Sequence, residues 1–355
     1  MNRCLTLAKK GTGVVSPNPL VGAVIVKNGK KIAEGYHERY GGNHAEVNAI
    51  RQALLKKADV NGATIYINLE PCFHTGKTPP CVNAIIKYGF SKVIIATEDP
   101  NPLVAGKSIT KLRKHGIEVN IGVLKKQAEV LNEKFFKYIR THIPYVALKA
   151  AQTSDGFIAK SDGSSKWITN TRSRRMVHHL RNEYDAVLVG AATVRIDNPR
   201  LTVRTVKGRS PVRVIIDGKF TIPVTSRILN NDAKTIMYVS ERYAKLERKK
   251  QALLTKMGIV IVQMKTINES IDIINILLDL TARGITSILV EGGQRIFTDF
   301  INSRCVDKLC LFTSVKIFGT GLNKFGDISV SYKKRKIQTR SLGSDCFQEY
   351  SIEYE

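Results

Sequence analysis

His44-Ala45-Glu46, followed by Pro71-Cys72-Phe73-His74-Thr75-Gly76-Lys77-Thr78-Pro79-Pro80-Cys81, is the stretch from which the rest of the chain can be read. One imidazole and two thiolates make a three-ligand zinc set, His44, Cys72 and Cys81, which leaves the fourth tetrahedral position to water. Glu46, two residues past the histidine, supplies the group that a metal-activated water needs, one that takes its proton and delivers it elsewhere. Taken singly, a His-Ala-Glu triplet or a Pro-Cys pair is ordinary structure; combined in this order and with helix-start contexts, they point to a metal centre.

The order His-x-Glu, then Pro-Cys, then a second Cys is that of zinc nucleobase deaminases, with one departure. The usual spacer between the cysteines is two residues, and here it is eight. A chain of 355 residues exceeds one comfortable core, so two domains are expected. No run of about 18 apolar residues occurs, so no membrane span is expected, and the N-terminus lacks the apolar core of a secretory signal. Six cysteines do not make a disulfide scaffold, which points to a reduced, cytoplasmic protein. The net charge of +26 invites a nucleic-acid reading. It is spread, however: residues 1–143 carry 22 Lys+Arg against 10 Asp+Glu, and the remainder 34 against 20. That distribution suits phosphorylated small molecules as partners, with no specific nucleic acid and no membrane.

In chain order, a short helix at 2–10 precedes the rigid loop Ser16-Pro17-Asn18-Pro19 and a strand from Val21. Asn28-Gly29 predicts a two-residue hairpin turn. His44 opens a helix to about Lys57, and residues 64–69 form a strand that delivers Cys72. Cys81 starts the next helix, where the dipole favours a thiolate. A strand at 92–96, a helix at about 107–115, a strand at 117–121 and a helix at about 126–141 complete a layered α/β domain over 1–143. Thr141-His142-Ile143-Pro144 is the expected boundary. A second α/β domain, 144–355, has strands at 145–150, 186–190, 212–217, 235–240, 259–263, 287–290 and 308–313. Its helices are expected at about 171–183, 242–256, 268–283 and 295–302. Gly190 and Glu291-Gly292-Gly293 end strands, where small residues let backbone N–H groups approach a phosphate. Neither matches the dinucleotide fingerprint, so a standard Rossmann domain is disfavoured. Trp167 lies in a Gly/Ser-rich loop suited to ring stacking, and Arg181 and Arg204 suit phosphate. His178-His179 reads as structural.

These stretches resemble the bacterial bifunctional riboflavin-biosynthesis deaminase/reductase family along essentially the whole chain. The resemblance is carried by Ser16–Gly22, His44-Ala45-Glu46, Glu70-Pro71-Cys72 through Cys81, Asp155–Ala159, Trp167-Ile168-Thr169, Val189–Thr193, Asp197–Arg204 and Glu291-Gly292-Gly293. The eight-residue spacer is itself a mark of that family. The resemblance implies a cytidine-deaminase-like domain followed by a dihydrofolate-reductase-like domain, with one zinc ion and NADPH as cofactors. It implies deamination of a diaminopyrimidine ribosyl phosphate and then reduction of its ribosyl chain. Ala151, Trp167, Thr193, Asp197 and the segment Gly293, Gln294, Arg295, Ile296, Phe297, Thr298, Asp299 would touch NADP. Ser165, Arg181, Leu201, Arg204 and Glu291 would touch the reductase substrate.

Asn18, His74 and Lys77 are expected to converge over the zinc site. Lys149 and Glu291, both expected at strand ends, are the ionisable groups assigned to the reductive chemistry. Two alternatives stay open: a member with one active domain, and a tRNA-editing deaminase. Homo-oligomerisation is left open as well.

Overall fold

The computed structural model describes residues 1–102, 104–267 and 270–355. It divides into two compact units, Met1–His142 and Ile143–Glu355. The first unit opens with α1 (Asn2–Ala8), then the hairpin of β1 (Gly22–Lys27) and β2 (Lys30–Tyr36). Asn28 and Gly29 both take left-handed backbone at its turn, φ 50° and 72°, as a twisted two-residue hairpin requires. α2 (Ala45–Leu55), β3 (Thr64–Ile67), α3 (Cys81–Lys87), β4 (Lys92–Ile95), α4 (Lys107–Lys114) and β5 (Glu118–Ile121) follow. The sheet order is β2-β1-β3-β4-β5, antiparallel across the first three strands and parallel across the last three.

α2 buries Ala45, Ala49 and Ala53, one residue per turn, and small side chains let it lie close on the sheet. Gly35 of β2 has no room for a side chain, since a Cβ there would stand 2.4 Å from the Ala49 nitrogen and 2.7 Å from the Ala45 oxygen. The long helix expected at 126–141 is two helices, α5 (Lys125–Leu131) and α6 (Glu133–Thr141). The break is at Asn132, whose buried side chain accepts from the Leu20 N–H and donates to the Leu20 carbonyl. A tertiary backbone pairing of that kind outweighs helix continuity.

In the second unit the chain runs β6 (Tyr145–Gln152), β7 (Phe157–Ala159), α7 (Thr171–Glu183), β8 (Ala186–Gly190), α8 (Ala191–Asp197), β9 (Val212–Ile216) and β10 (Thr235–Ser240). Next come α9 (Glu241–Leu246), α10 (Arg248–Lys256), β11 (Val260–Met264), β12 (Thr266–Ile267), β13 (Ser270–Ile271) and α11 (Ile273–Ala282). β14 (Ser287–Val290), α12 (Gln294–Asn302), β15 (Lys308–Thr313), β16 (Leu322–Asn323), β17 (Tyr332–Leu342) and β18 (Asp345–Tyr354) complete it. Nine strands form one sheet, β11-β10-β9-β8-β14-β6-β15-β18-β17, parallel from β11 to β15 and antiparallel beyond. β6 alternates in its packing: Val146, Leu148 and Ala150 enter one core cluster, and Tyr145 and Ala147 another on the opposite face.

The helix expected at 242–256 is again two. The one expected from 268 begins at Ile273, capped by the Asp272 side chain on the Ile274 N–H, and positions 268–269 of that expectation lie outside the described residues. The small residues after Gly190, Ala191-Ala192-Thr193, open a helix, Ala191–Asp197, and not a turn. The closing hairpin β17–β18 was not expected.

Gly35→Ala should destabilise the protein by about 1–3 kcal/mol, because α2 must move off the sheet. The check is chemical unfolding together with zinc affinity, which should fall because α2 carries the metal-facing residues.

Candidate active sites

β2, α2 and α3 bring the first site together. His44 is the residue before α2, in extended backbone, so its ring projects from the helix start. Its Nδ1 lies 3.4 Å from the Cys72 Sγ and 3.3 Å from the Cys81 Sγ, and the three ligand atoms all fall within 4.8 Å of one another. The Cys81 backbone N–H, at the start of α3, donates to the Cys72 Sγ at 3.1 Å. The Cys81 side chain, the His44 ring and that N–H hold the Cys72 thiol below its ordinary value, while Cys72 and burial push Cys81 up.

Glu46 sits on the buried face of α2, 3 % exposed, and its Oε2 has no hydrogen-bond partner among the described residues. Burial, with the Cys72 thiolate beside it, pushes this carboxyl up to about 7. An orphaned buried carboxylate oxygen beside a His/Cys/Cys set is the environment that a divalent cation and its water complete. The donor set therefore fits zinc, on Nδ1 of His44.

Asn18 donates toward this site through His37: Asn18 Nδ2 lies 3.1 Å from His37 Nε2, and His37 Nδ1 lies 3.0 Å from the Asn43 carbonyl. The His37 ring meets His44 edge-on at 5.1 Å. His37 was missed in the sequence; it stands one residue past a strand, and only the β1–β2 hairpin brings it back to Asn18. Lys77 is exposed, with its Nζ 4.1 Å from the Tyr40 ring, so the spacer lies on the loop that leads into His44. His74 is exposed and makes no hydrogen bond among the described residues.

The second site is a cavity of ≈ 1110 Å³ along the C-terminal ends of β6, β14, β8 and β9. Ala151, Trp167, Thr193, Asp197, Gly293, Gln294, Arg295, Ile296, Phe297 and Asp299 line it, and so do Ser165, Arg181, Leu201, Arg204 and Glu291. Thr298 does not: its hydroxyl donates to the Gln294 carbonyl and accepts from the Gly326 N–H, so it faces the neighbouring loop. The Gly190 N–H donates to the Gly292 carbonyl at 3.3 Å, joining the two small-residue turns. A Cβ on Gly190 would come within 2.7 Å of Ile296 Cγ1 on α12, which fixes glycine there. Ser165 donates to Asp197 at 3.2 Å, so two residues assigned to different ligands are directly bonded. Trp167 is 62 % exposed, with the Arg174 guanidinium 4.8 Å from its ring centre.

Glu291 is clamped. Arg181 Nε and Nη2 donate to its two oxygens at 2.5 and 2.9 Å, and Lys149 Nζ lies 3.8 Å away. Burial pushes the Glu291 carboxyl up, but Arg181 and Lys149 override it and hold it at about 2. Glu291 therefore carries no proton at neutral pH, which removes it as a proton source. Lys149 is not at a strand end either, because β6 runs on to Gln152. It is level with Glu291 because β14 stops at Val290, opposite Leu148. Burial pushes the Lys149 ammonium down despite its carboxylate neighbour. His178, read as structural, also lines the cavity. Its Nδ1 accepts from the Arg204 N–H at 3.2 Å, and burial, with Arg181 and Arg204 nearby, brings it down to about 4.

A His/Cys/Cys/Glu centre on one α/β unit and an elongated glycine-edged cavity on a second define a two-domain enzyme, a zinc deaminase joined to a nucleotide-dependent reductase. Residues 1–97 match the cytidine and deoxycytidylate deaminase zinc-binding region, and residues 144–347 match the RibD C-terminal domain. The riboflavin biosynthesis protein RibD of Aquifex aeolicus is 44 % identical over 97 % of this chain and 95 % of its own. That of Escherichia coli is 35 % identical over 97 % and 96 %. The crystal structure of a diaminohydroxyphosphoribosylaminopyrimidine deaminase/5-amino-6-(5-phosphoribosylamino)uracil reductase from Thermotoga maritima is 42 % identical, with a TM-score of 0.87 over 99 % of this chain and 97 % of that one. The chain belongs to the RibD family, the bifunctional deaminase/reductases of riboflavin biosynthesis, which use zinc and NADPH.

Removing the carboxylate by Glu291→Gln should destabilise the second unit by about 3–5 kcal/mol at pH 7, since it leaves the Arg181 guanidinium buried without its charge partner. The folded carboxyl lies below its unfolded value, so this stabilisation is present above about pH 4 and lost as pH falls towards 2. Denaturant unfolding of both proteins across that range should show the difference shrinking on acidification.

Proposed function

We propose that this chain carries out two successive reactions. Residues 1–143 hydrolytically deaminate 2,5-diamino-6-ribosylamino-4(3H)-pyrimidinone 5′-phosphate, and residues 144–355 reduce the ribosyl side chain to give 5-amino-6-ribitylamino-uracil 5′-phosphate. The observation that carries this reading is that each centre keeps every group its half-reaction needs, down to the partnerless Glu46 oxygen beside the ligand set. A member with one active domain would be expected to have lost a group from the other. A tRNA-editing deaminase accounts for neither the eight-residue spacer nor the second domain.

In the first reaction His44, Cys72 and Cys81 hold zinc, which when bound supplies the Lewis acidity that brings water into range of deprotonation near neutrality. Glu46 takes that proton and passes it to the ring nitrogen, then to the departing ammonia, while the amino-bearing C–N bond breaks. Asn18, His74 and Lys77 are assigned to the pyrimidine and its phosphate, Asn18 held by His37 and Lys77 by Tyr40.

In the second, Ala151, Trp167, Thr193, Asp197 and Gly293 to Asp299, Thr298 excepted, are the NADPH contacts. NADPH when bound supplies the hydride. Arg181, held rigid by Glu291, and Arg204, anchored to His178, face the substrate with Ser165 and Leu201. Lys149, lowered by burial and 3.8 Å from Glu291, holds the proton that the opening ribosyl group takes up on its ring oxygen. Glu291 keeps Lys149 in place and charged. The six cysteines are free thiols, which suits a cytoplasmic setting.

Glu46→Gln should retain zinc by metal analysis and lose ammonia release by about 10²–10⁴-fold, the range for a positioned acid–base group. Chelating zinc from the parent should stop ammonia release while NADPH oxidation on the deaminated substrate continues. Lys149→Met should do the reverse, lowering NADPH oxidation by about 10²–10⁴-fold with ammonia release intact. NADPH oxidation by that variant at the parent rate would take Lys149 out of the mechanism.

A further inference from the structure

The cavity has an end that neither the pyrimidine nor the reacting carbon needs. Past the start of α12 it continues to the ends of β8 and β9, where Asp217, Gly218, Lys219 and Thr221 line it opposite Ile271. In the sheet order, β6, β14, β8 and β9 are neighbours. At about 4.8 Å per strand they span roughly 14 Å, the scale of an extended dinucleotide. With the reacting end at Lys149 and Glu291 and the diphosphate over Gly293, the adenosine half arrives at β9.

A carboxylate at the end of such a strand, Asp217, ordinarily suggests recognition of ribose hydroxyls and therefore NADH. Here it is 1 % exposed and faces its own chain. One oxygen accepts from the Ile222 N–H at 2.8 Å and the other from the Thr221 hydroxyl at 3.0 Å. Thr221 in turn accepts from Arg195 Nη1. Arg195 is exposed and lines the cavity, and its guanidinium makes no other hydrogen bond among the described residues. The chain Asp217–Thr221–Arg195 thus turns an acidic position outward as a guanidinium, whose fork matches a phosphate. Lys219 and Arg227, also on the cavity lining, add to the positive field at this end.

We propose that Arg195, docked on Thr221, receives the 2′-phosphate of NADPH and sets the preference for NADPH over NADH, with Asp217 as its anchor and not a ribose ligand. This rests on the reading of the second domain as an NADPH reductase. The test is calorimetric titration of the full-length parent and Arg195→Gln with adenosine 2′,5′-bisphosphate and with adenosine 5′-monophosphate, which differ only in the 2′-phosphate. The parent should prefer the bisphosphate by about ten-fold or more, the worth of a charge-assisted hydrogen bond. The variant should lose that preference with 5′-monophosphate affinity unchanged. In turnover, its KM for NADPH should rise by about ten-fold while that for NADH stays, and Arg195→Lys should recover part of the loss. A full bisphosphate preference in Arg195→Gln overturns the assignment, as does a rise in the pyrimidine KM in place of the NADPH KM. If the parent oxidises neither NADPH nor NADH with the deaminated pyrimidine, the reductase reading falls and takes this inference with it. A working reductase whose cofactor preference survives Arg195→Gln overturns the inference alone.

Discussion

A carboxylate buried on a helix face, next to two sulfurs and with one oxygen unpartnered, is costly to keep ionised unless a cation completes its surroundings. Much of the first unit serves to create that situation at Glu46. Gly35 lets α2 lie against β2, the alanines of α2 keep it there, and Cys81 at the start of α3 turns a backbone N–H onto Cys72. The metal is then part of the electrostatic closure of the domain as well as its reagent.

The second unit meets the same constraint with a cation of its own. The Glu291 side chain is also largely buried, yet both its oxygens are held by Arg181 and it stays ionised. The outcome is a rigid charged platform beside a buried lysine. Two buried carboxylate side chains are thus shifted in opposite directions according to what faces them.

The zinc centre was legible because its ligands lie at chain positions that local rules already mark: a helix start, the exit from a strand and another helix start. The strand-end glycines of the reductase were legible for the same reason. Contacts made across long sequence separations were not. Asn18 reaches His37 only through the β1–β2 hairpin, and Asn132 breaks a helix for a bond to Leu20, 112 residues away. His178 looked structural because nothing in the sequence shows that it shares a cavity with Arg204. Lys149 was read as a strand end because its own strand outruns its neighbour. The protonation of Glu291 could not be read at all, since Arg181 lies 110 residues upstream. β17 escaped notice because nearly all of it is exposed, so it lacks the apolar alternation by which strands are found.

That last strand bears on the excess positive charge. β17 is the outer edge of the nine-stranded sheet, and Lys333, Lys334, Arg335 and Lys336 stand exposed in a row along it. Its pairing is interrupted by a shift in register between Lys336 and Gln338. An open edge of this length is a template on which another sheet can grow. Like charges along it and a kink in its middle make such growth unfavourable. Part of the +26 is therefore a guard on solubility at high concentration, and it is there whether or not any anion is bound.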